Sequence, residues 1–380
     1  MKDRSRLHEL RAELDRIDAA LIDQAAARQR IVAEIGQYKQ QQGRQLRDYR
    51  REREVLDGVR AHAAKIGLEP DLAEALLRNL IEASLTRQEQ QRVGGSGRGD
   101  GHTVLVIGGA GLMGRWLARF FDSQGFHVQI ADPASQPAQG GFDAVDDWHD
   151  AAHTADVIAI CTPIEISRRI LAELIGLADQ QPIAALVFDI ASVKAPLIES
   201  LQQAAQAGLN ICSIHPMFGP DTMLLAERHV LFMDVGPAAA VDQARALFED
   251  TMAEQVNVSL EQHDRLMALV LGLSHALNIA FADALAQSGL DAAQLAAISS
   301  TTFKRQLDVA GDVVAENDRL YFEIQRLNPY ELAVLDGLLN SVQRLRSHVS
   351  QDDAAAFSAQ MKAGYDWLQR HRQSKEQDRQ

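Results

Sequence analysis

Two short motifs in this chain could together carry out an oxidation. His215-Pro216-Met217-Phe218-Gly219-Pro220 follows the apolar run 211–214, so its histidine is expected at the carboxyl end of a buried strand. Upstream, the apolar run 104–108 leads into Gly109-Ala110-Gly111-Leu112-Met113-Gly114. Ligands of open parallel sheets bind outside the carboxyl ends of the strands. A histidine there could accept a proton while hydride leaves a substrate, although a single histidine at a strand end can also be structural.

The upstream motif has the spacing Gly-x-Gly-x-x-Gly of a dinucleotide-binding turn. Gly109 is expected to permit the tight turn, Gly111 to let the backbone approach a pyrophosphate, and Gly114 to let the helix pack on the strand. The next strand, 128–132, ends in Asp132, whose carboxylate would accept from both ribose hydroxyls and repel a 2′-phosphate. The sequence therefore favours NAD over NADP, the alternative being a glycine turn that binds nothing.

A third candidate follows the apolar run 156–161. Thr162-Pro163-Ile164-Glu165 has the pattern of a helix capping box, with Thr162 as the N-cap, proline at the first helical position and glutamate at the third. This pattern predicts a helix start. It also makes Thr162 a candidate contact on the nicotinamide side of the cofactor.

These motifs belong to a chain of three predicted parts. Residues 1–92 are predicted to be helical, with helices at 5–42, 49–66 and 70–90, and Gly43 ends the first of them. Five glycines in 94–101 indicate a flexible linker. Strand and helix patterns then alternate up to about 258, which is typical of a doubly wound α/β (Rossmann) domain with a parallel sheet, and helices follow. The predicted divisions are 1–92, 93–101, 102–258, 259–370 and a disordered tail, 371–380.

The first helix predicts a dimer. About 36 residues would span roughly 55 Å at 1.5 Å per residue, whereas a 90-residue domain is only about 26 Å across. Such a helix cannot be covered by its own domain, so a second copy in an entwined dimer is the simplest cover. Its apolar positions are Leu7, Leu10, Leu14, Ile17, Leu21 and Ile22.

Composition narrows the class of protein. Of the net charge of −14, residues 1–92 carry about +2, and the acidic remainder argues against nucleic acid as a partner. The two cysteines, Cys161 and Cys212, suggest neither disulfides nor a metal site, so a reducing compartment is expected. The apolar stretch 266–286 contains polar residues and is predicted to be a buried helix rather than a membrane span. We therefore expect a cytoplasmic protein without a membrane partner.

The motifs resemble two known families. The glycine turn, Asp189-Ile190-Ala191-Ser192-Val193-Lys194 and the His215 motif followed by Asp221 resemble prephenate dehydrogenases over about 103–340. Residues 5–92 resemble the all-helical chorismate mutases, and the order of the two is that of the bifunctional T-proteins of tyrosine synthesis. The resemblance implies an all-α mutase domain, a Rossmann domain and an all-α C-terminal dimerisation domain. It also implies rearrangement of chorismate to prephenate, followed by oxidative decarboxylation to 4-hydroxyphenylpyruvate with NAD.

The resemblance assigns the residues of the mutase. Chorismate is a dianion whose rearrangement needs a held conformer and stabilisation of charge on the ether oxygen, but no nucleophile. Arg28 and Lys39, 11 residues apart, fall about 20° from alignment on one helix face, and Arg11 points about 100° away. By resemblance Arg11 reaches the partner's site. The other matching positions are the carboxylate ligands Arg28 and Arg51, the ether-oxygen donors Lys39 and Gln88, the hydroxyl acceptor Glu52, and the supporting residues Asp48 and Ser84. Singly, each could be a solvated charge.

The resemblance also assigns the dehydrogenase residues. His215 matches the residue that accepts from the ring hydroxyl, and Ser192 and Lys194 match positions that orient it or hold substrate. His275 matches a second pocket histidine, although it could be a satisfied core residue. In the family, an arginine that binds the substrate carboxylate follows an aromatic residue. Here Phe303 is followed by Lys304 and then by Arg305. Lysine offers charge without the bidentate fork, and Arg305 could take that part instead. Tyrosine feedback is usual in the family.

Three other interpretations stay open at this point. The first segment could be an inactive dimerisation or regulatory module attached to an active dehydrogenase. The chain could be an NAD-dependent sensor without turnover, an interpretation supported only by Lys304. It could also be a generic hydroxyacid dehydrogenase, in which the mutase-like segment would have no purpose.

Overall fold

The computed structural model describes residues 2–42, 47–134 and 141–377. The chain forms two compact units. The first comprises residues 1–191 and 197–259, and the second comprises 192–196 and 260–380. The short segment 192–196 therefore belongs to the second unit, although the chain on both sides of it belongs to the first.

The first unit begins with three helices, α1 (Lys2–Gln41), α2 (Tyr49–Ile66) and α3 (Pro70–Gly94). Asp48 caps α2 by accepting from the backbone N–H of Arg51 at 2.9 Å. Gly67 ends α2 in the left-handed conformation, and Pro70 starts α3. The predicted stop at Gly43 lies outside the described residues. The predicted apolar positions of α1 are 45–70% exposed in the single chain, which is the uncovered stripe that the sequence predicts.

The predicted linker, 94–101, differs from a free tether. Helix α3 runs to the start of it, and the rest forms turns against the sheet domain. Arg98 pairs with Glu249 at 3.1 Å. A Cβ at Gly99 would lie 2.2 Å from the backbone nitrogen of Phe126. Gly99 thus permits close packing of this segment against the sheet domain.

Within the described residues, the sheet of the first unit has eight strands in the order β3-β2-β1-β4-β5-β6-β7-β8. Their bounds are β1 Thr103–Ile107, β2 His127–Ala131, β3 Asp143–Ala144, β4 Val157–Ile160, β5 Leu186–Asp189, β6 Asn210–Pro216, β7 His229–Met233 and β8 Glu254–Asn257. The intervening helices are α4 Leu112–Ser123, α5 Trp148–Ala152, α6 Ile164–Gln180, α7 Ile198–Gln206 and α8 Ala238–Ala246. The doubly wound fold is confirmed. The pair β6–β7 is antiparallel, however, so the sheet is mixed rather than wholly parallel.

The core of this sheet domain is aromatic. Phe121, Phe188, Phe232 and Phe248 are almost completely buried, and each such side chain contributes about 1.5–3 kcal/mol on transfer from water. Trp116 stacks on Phe120 with ring centroids 5.2 Å apart. The core fixes the strand ends that carry the predicted site residues. Within the described residues, Cys161 and Cys212 do not form a disulfide, and burial raises the pKa of Cys161 well above its ordinary value.

The second unit is helical. Its helices are α9 Leu260–Met267, α10 Ser274–Gln287, α11 Ala292–Ala297, α12 Thr301–Ala315, α13 Asp318–Leu327, α14 Glu331–Ser350 and α15 Ala354–Gln377. Between α9 and α10, residues Ala268–Leu273 form a π-helix, which periodicity does not reveal. Helix α15 extends into the predicted disordered tail, 371–380, as far as Gln377.

Residues Leu260–Gln287 are long and apolar enough to cross a membrane by length and composition. The predicted buried helix is wrong for the single chain, because only 22% of the apolar window is buried. Polar contacts nevertheless tie the stretch to its own domain. Asn278 donates to the carbonyl of Ser274 at 2.8 Å and accepts from Gln306 at 2.7 Å. The buried side chain of Asn278 is therefore paired both within its own helix and with α12.

Candidate active sites

The glycine turn lies between β1 and α4. The sequence predicts the tight turn at Gly109. The residue in the left-handed conformation is instead Gly108 (φ +87°), so the turn falls one residue earlier. Gly109 instead lacks room, because a Cβ there would lie 2.5 Å from Cγ2 of Ile130. A Cβ at Gly114 would lie 2.2 Å from the carbonyl oxygen of Gly108, so the close packing predicted for Gly114 is present. The turn is a cradle that added side chains would fill.

Asp132 lies beside this turn, at the end of β2. Its carboxylate accepts from the backbone N–H of Ala110 at 3.1 Å and of Ala134 at 2.8 Å. The acid therefore holds the glycine turn as well as the strand end. Gly111 is the N-cap of α4, with Leu112 and Met113 in its first turn. A phosphate at this helix N-terminus would be favoured by the helix dipole and the exposed N–H groups.

The predicted capping box at 162–165 is wrong. Helix α6 starts at Ile164 with Pro163 as its N-cap, and no side chain caps it. The Thr162 hydroxyl lies 2.9 Å from the Ser167 hydroxyl instead, because the chain enters the helix one residue later than expected. Thr162 stays close to the glycine turn, since a Cβ at Gly108 would lie 2.8 Å from its methyl carbon.

His215 lies near the carboxyl end of β6, where the sequence predicts it. The strand continues one residue further, through Pro216, and His215 is paired in register with Leu231 of β7. The residue is 3% exposed. An imidazole this buried is shielded from bulk water, which suits proton transfer from a bound hydroxyl.

In the second unit, Asp264 holds the segment that carries Ser192 and Lys194. Its two carboxylate oxygens accept from the backbone N–H groups of Lys194 at 2.8 Å and Ala195 at 2.6 Å. The ring of His263 lies 2.7 Å from the same carboxylate. Asp264 and His263 were missed by sequence reasoning. Two adjacent polar residues on an otherwise apolar helix face were the available signal.

The remaining predicted dehydrogenase residues lie on helices of the second unit. His275 stacks on Tyr321 with ring centroids 4.0 Å apart, and burial lowers the pKa of its imidazole. Lys304 and Arg305 are both exposed in the first turns of α12. The structure therefore does not choose between them. Ser300 caps this helix by accepting from the backbone N–H of Phe303 at 3.2 Å.

The buried carboxyl of Glu331 should make the stability of the fold depend on pH. It is fully buried against Gly272, and within the described residues neither carboxylate oxygen has a hydrogen-bond partner. Burial raises the pKa of this carboxyl. The contribution of Glu331 to the free energy of unfolding is therefore complete below the ordinary pKa of about 4.3, and it is lost as pH rises through the raised pKa of the folded state. Glu331→Gln should therefore gain thermal stability relative to the parent as pH increases from about 4 to 8.

Thermal unfolding at several pH values measures this difference. Glu261→Gln, at an exposed carboxylate in the first turn of α9, is the control, because no burial penalty applies there. A Glu331→Gln advantage that stays constant or shrinks as pH rises would contradict the prediction.

Part of the predicted mutase site is assembled between α1 and α3. Arg28 donates to the Ser84 hydroxyl at 3.1 Å and to the Leu80 carbonyl at 3.2 Å, and burial lowers the pKa of Arg28. Gln88 donates to the carbonyl of Val32 at 2.8 Å. Arg28, Ser84 and Gln88 thus form one polar cluster on facing helices.

The other predicted mutase residues are more dispersed. Glu52 accepts from Arg47, which sequence reasoning missed, and Arg51 pairs with Glu54 at 3.1 Å on the exposed side of α2. Asp48 serves as the N-cap described above. Arg11 is exposed on α1, and Lys39 is half-buried near its end. The single chain does not bring Arg11 to the Arg28 cluster.

Glu89 is a further residue that the sequence analysis did not single out. It lies on α3 next to Gln88, is 3% exposed, and accepts from the backbone N–H of Leu225 at 2.7 Å and from that of Met252. Burial raises the pKa of this carboxyl. The helix that carries Ser84 and Gln88 is therefore bonded to loops of the sheet domain.

Comparisons with known proteins agree with this architecture. Family models match as "Chorismate mutase type II" over 10–89, "Prephenate dehydrogenase, nucleotide-binding domain" over 119–257 and "Prephenate dehydrogenase, dimerization domain" over 259–363. The T-protein of Enterobacter agglomerans is 27% identical over 95% of this chain and 93% of its own length. The T-protein of Haemophilus influenzae is 26% identical over 95% and 92%.

A solved structure shares the fold of the dehydrogenase part. It is the prephenate dehydrogenase of Aquifex aeolicus in complex with hydroxyphenyl propionate and NAD+. It is 18% identical, with a TM-score of 0.58, and the match covers 71% of this chain and 98% of that one. The arogenate dehydrogenase of Synechocystis matches similarly, with a TM-score of 0.55 at 19% identity over 71% and 99% of the two chains.

A mutase-type helical domain followed by a nucleotide-binding sheet and a helical dimerisation domain defines a bifunctional isomerase and dehydrogenase. The chain belongs to the family of bifunctional chorismate mutase/prephenate dehydrogenases, the T-proteins. It is an enzyme of tyrosine biosynthesis with both activities, and NAD is the cofactor of the dehydrogenase. These findings confirm the fold, activities and cofactor that the sequence predicts.

Proposed function

We propose that the two reactions use two separate groups of residues, one among the N-terminal helices and one that includes His215 at a strand end of the sheet. The observation that carries this proposal is the placement of Arg28, Ser84 and Gln88 between α1 and α3, while His215 lies on β6. The domain bounds inferred from the sequence are proposed with it.

In the proposed mutase reaction, cationic groups hold the two carboxylates of chorismate. Arg28 and Arg51 bind the carboxylates, and Lys39 and Gln88 donate to the ether oxygen as its bond breaks. Glu52 accepts from the substrate hydroxyl. Asp48 and Ser84 support the cationic and amide groups, and Ser84 is already bonded to Arg28.

In the proposed dehydrogenase reaction, His215 draws the proton of the ring hydroxyl towards itself as the carbonyl develops. NAD, when bound, accepts the hydride. Loss of carbon dioxide then makes the ring aromatic, and the proton returns from His215 to the ring oxygen. Asp132 accepts from ribose hydroxyls, the glycine turn binds the pyrophosphate and Thr162 faces the nicotinamide. Ser192, Lys194 and His275 are assigned to this reaction, and Lys304 or Arg305 to the substrate carboxylate.

We further propose a cytoplasmic homodimer. The exposed apolar stripe of α1 and the apolar surface of the second unit support dimerisation, and two cysteines that form no disulfide within the described residues suit a reducing compartment. Tyrosine is proposed as a feedback effector.

One coupled assay tests the proposed function. Chorismate and NAD are supplied together and NADH is followed, with 4-hydroxyphenylpyruvate measured as the product. NADH formation from both chorismate and prephenate is expected. If NADH forms from prephenate but not from chorismate, the mutase half of the proposal is contradicted. If no NADH forms from prephenate, the dehydrogenase half is contradicted.

A further inference from the structure

Arg47 and Glu52 form a two-point ion pair at the start of α2. Nε of Arg47 lies 3.1 Å from Oε1 of Glu52, and Nη2 lies 3.1 Å from Oε2. The two side chains are only 19% and 20% exposed. Burial alone would lower the pKa of Arg47, but the hydrogen bond and charge of Glu52 raise it. The guanidinium also lies over the ring of Tyr49, 4.4 Å from the centroid.

The same guanidinium is held by a residue of the dehydrogenase part. Oε1 of Glu227 lies 3.3 Å from Nη2 of Arg47. Glu227 has φ +64°, a conformation that few residues other than glycine adopt, so its surroundings must fix it. Two residues earlier, the backbone N–H of Leu225 donates to Glu89 of α3. The segment 224–228, downstream of the His215 motif, is thus bonded to Arg47, just before α2, and to α3.

A cavity of about 250 Å³ lies at this junction. Arg47, Glu52 and residues of α2 and α3 form one side of it, and segment 224–228 forms the other. Glu52, proposed above to accept from the hydroxyl of chorismate, therefore faces a space that the mutase helices do not enclose by themselves.

We infer that Arg47 is a positioning residue of the mutase, which acts through Glu52 and is itself held by Glu227. Each carboxylate oxygen can accept two hydrogen bonds, so a fork that takes one on each oxygen orients Glu52 and leaves acceptor capacity for a substrate hydroxyl. Lysine could not reproduce this geometry, because it supplies a point charge without the planar fork. The inference rests on the proposed role of Glu52. If the inference holds, Glu227, a residue of the dehydrogenase part, helps to hold the mutase residues in place.

A double-mutant cycle in the full chain tests the inference. Mutase kcat and KM for chorismate are measured for Arg47→Ala, Glu52→Gln and the double variant. Loss of a supporting partner typically costs about 10–100-fold in activity, and we expect Arg47→Ala to lower kcat/KM within that range. In the Glu52→Gln background the same change should cost less than about 3-fold, because it can act only through the carboxylate.

Two further variants extend the test. Arg47→Lys should stay at least about 5-fold below the parent, since the fork is lost although the charge is kept. Glu227→Gln should lower mutase kcat/KM by about 2–5-fold, the scale of one exposed ion pair, although it lies in the dehydrogenase part. Arg50→Ala is the matched control, because this exposed arginine pairs with Glu54 in the same helical turn. Its mutase activity should be unchanged.

The outcomes separate the inference from the proposed function. If Glu52→Gln leaves mutase activity intact, the proposed role of Glu52 fails and the inference fails with it. If Glu52→Gln is impaired while Arg47→Ala equals the parent, only the inference fails. An Arg47→Ala loss that is equally large in both backgrounds also overturns the inference. Circular dichroism and thermal unfolding identify a variant that has lost its fold, and Arg47→Lys and Glu227→Gln then decide.

Discussion

His215→Asn is expected to lower NADH formation from prephenate by about 10²–10⁴-fold, the usual scale for loss of a general acid–base group. Asparagine keeps a polar side chain of similar reach but cannot take up a proton. Because His215 lies on β6, within the sheet domain, and the proposed mutase residues lie on the N-terminal helices, chorismate consumption should continue. The measurement is NADH release from prephenate and loss of chorismate, each assayed separately.

His229→Asn is the matched control. This histidine is exposed on the neighbouring strand, β7, where its ring pairs with Glu254 at 3.0 Å. Its replacement should leave both activities within about 2-fold, as expected for a surface substitution worth less than 0.5 kcal/mol. A parallel fall of both activities in His215→Asn would point to a shared site or to misfolding, and would count against two separate sites.

Arg11→Ala and Arg28→Ala should each lower mutase kcat/KM by at least about 100-fold, since each removes a charged contact to a dianionic substrate in a water-poor site. The entwined dimer adds a stronger expectation. If Arg11 serves the site of the other subunit, a mixed dimer of the two variants contains one intact site and one doubly defective site. Randomly mixed subunits should then recover about a quarter of parental mutase activity.

The measurement is chorismate consumption after unfolding and refolding the two purified variants together, compared with each refolded alone. Arg16→Ala is the control, because this exposed arginine of α1 donates only to the carbonyl of Ala12 in its own helix. Failure of the mixture to exceed the separate variants would place Arg11 and Arg28 in the same subunit's site and contradict the exchange.

Sequence periodicity was sufficient for most elements of the fold. The strands that lead to Asp132 and carry His215 are apolar runs bounded by turns, and the helices α2 and α3 start at residues 49 and 70, as the pattern predicts. Such local signals act within a few residues. For the same reason the glycine motif and the His215 motif could be placed at strand ends before any geometry was known.

Other features depend on contacts between distant residues, which a pattern cannot specify. The direction of β7 depends on its pairing with β6. The left-handed residue of the glycine turn is Gly108 rather than the predicted Gly109, and Ile130 packs closely against Gly109. The capping box at Thr162 failed for a similar reason, since Ser167 offers its hydroxyl a competing partner. Arg47 and Asp264 were missed because some of their partners, Glu227 for Arg47 and the segment 194–195 for Asp264, lie far away along the chain.

The buried carboxylate of Glu89 has a consequence for dissecting this enzyme. Cutting the chain after α3 would leave Glu89 and Val93 uncovered on one fragment, and would strand the N–H groups of Leu225 and Met252 without an acceptor on the other. Each stranded donor costs about 1–3 kcal/mol if it stays buried. Each fragment would therefore lose contacts that the full chain makes, so gene-fusion or domain-swap designs should carry α3 and the loops it binds as one piece.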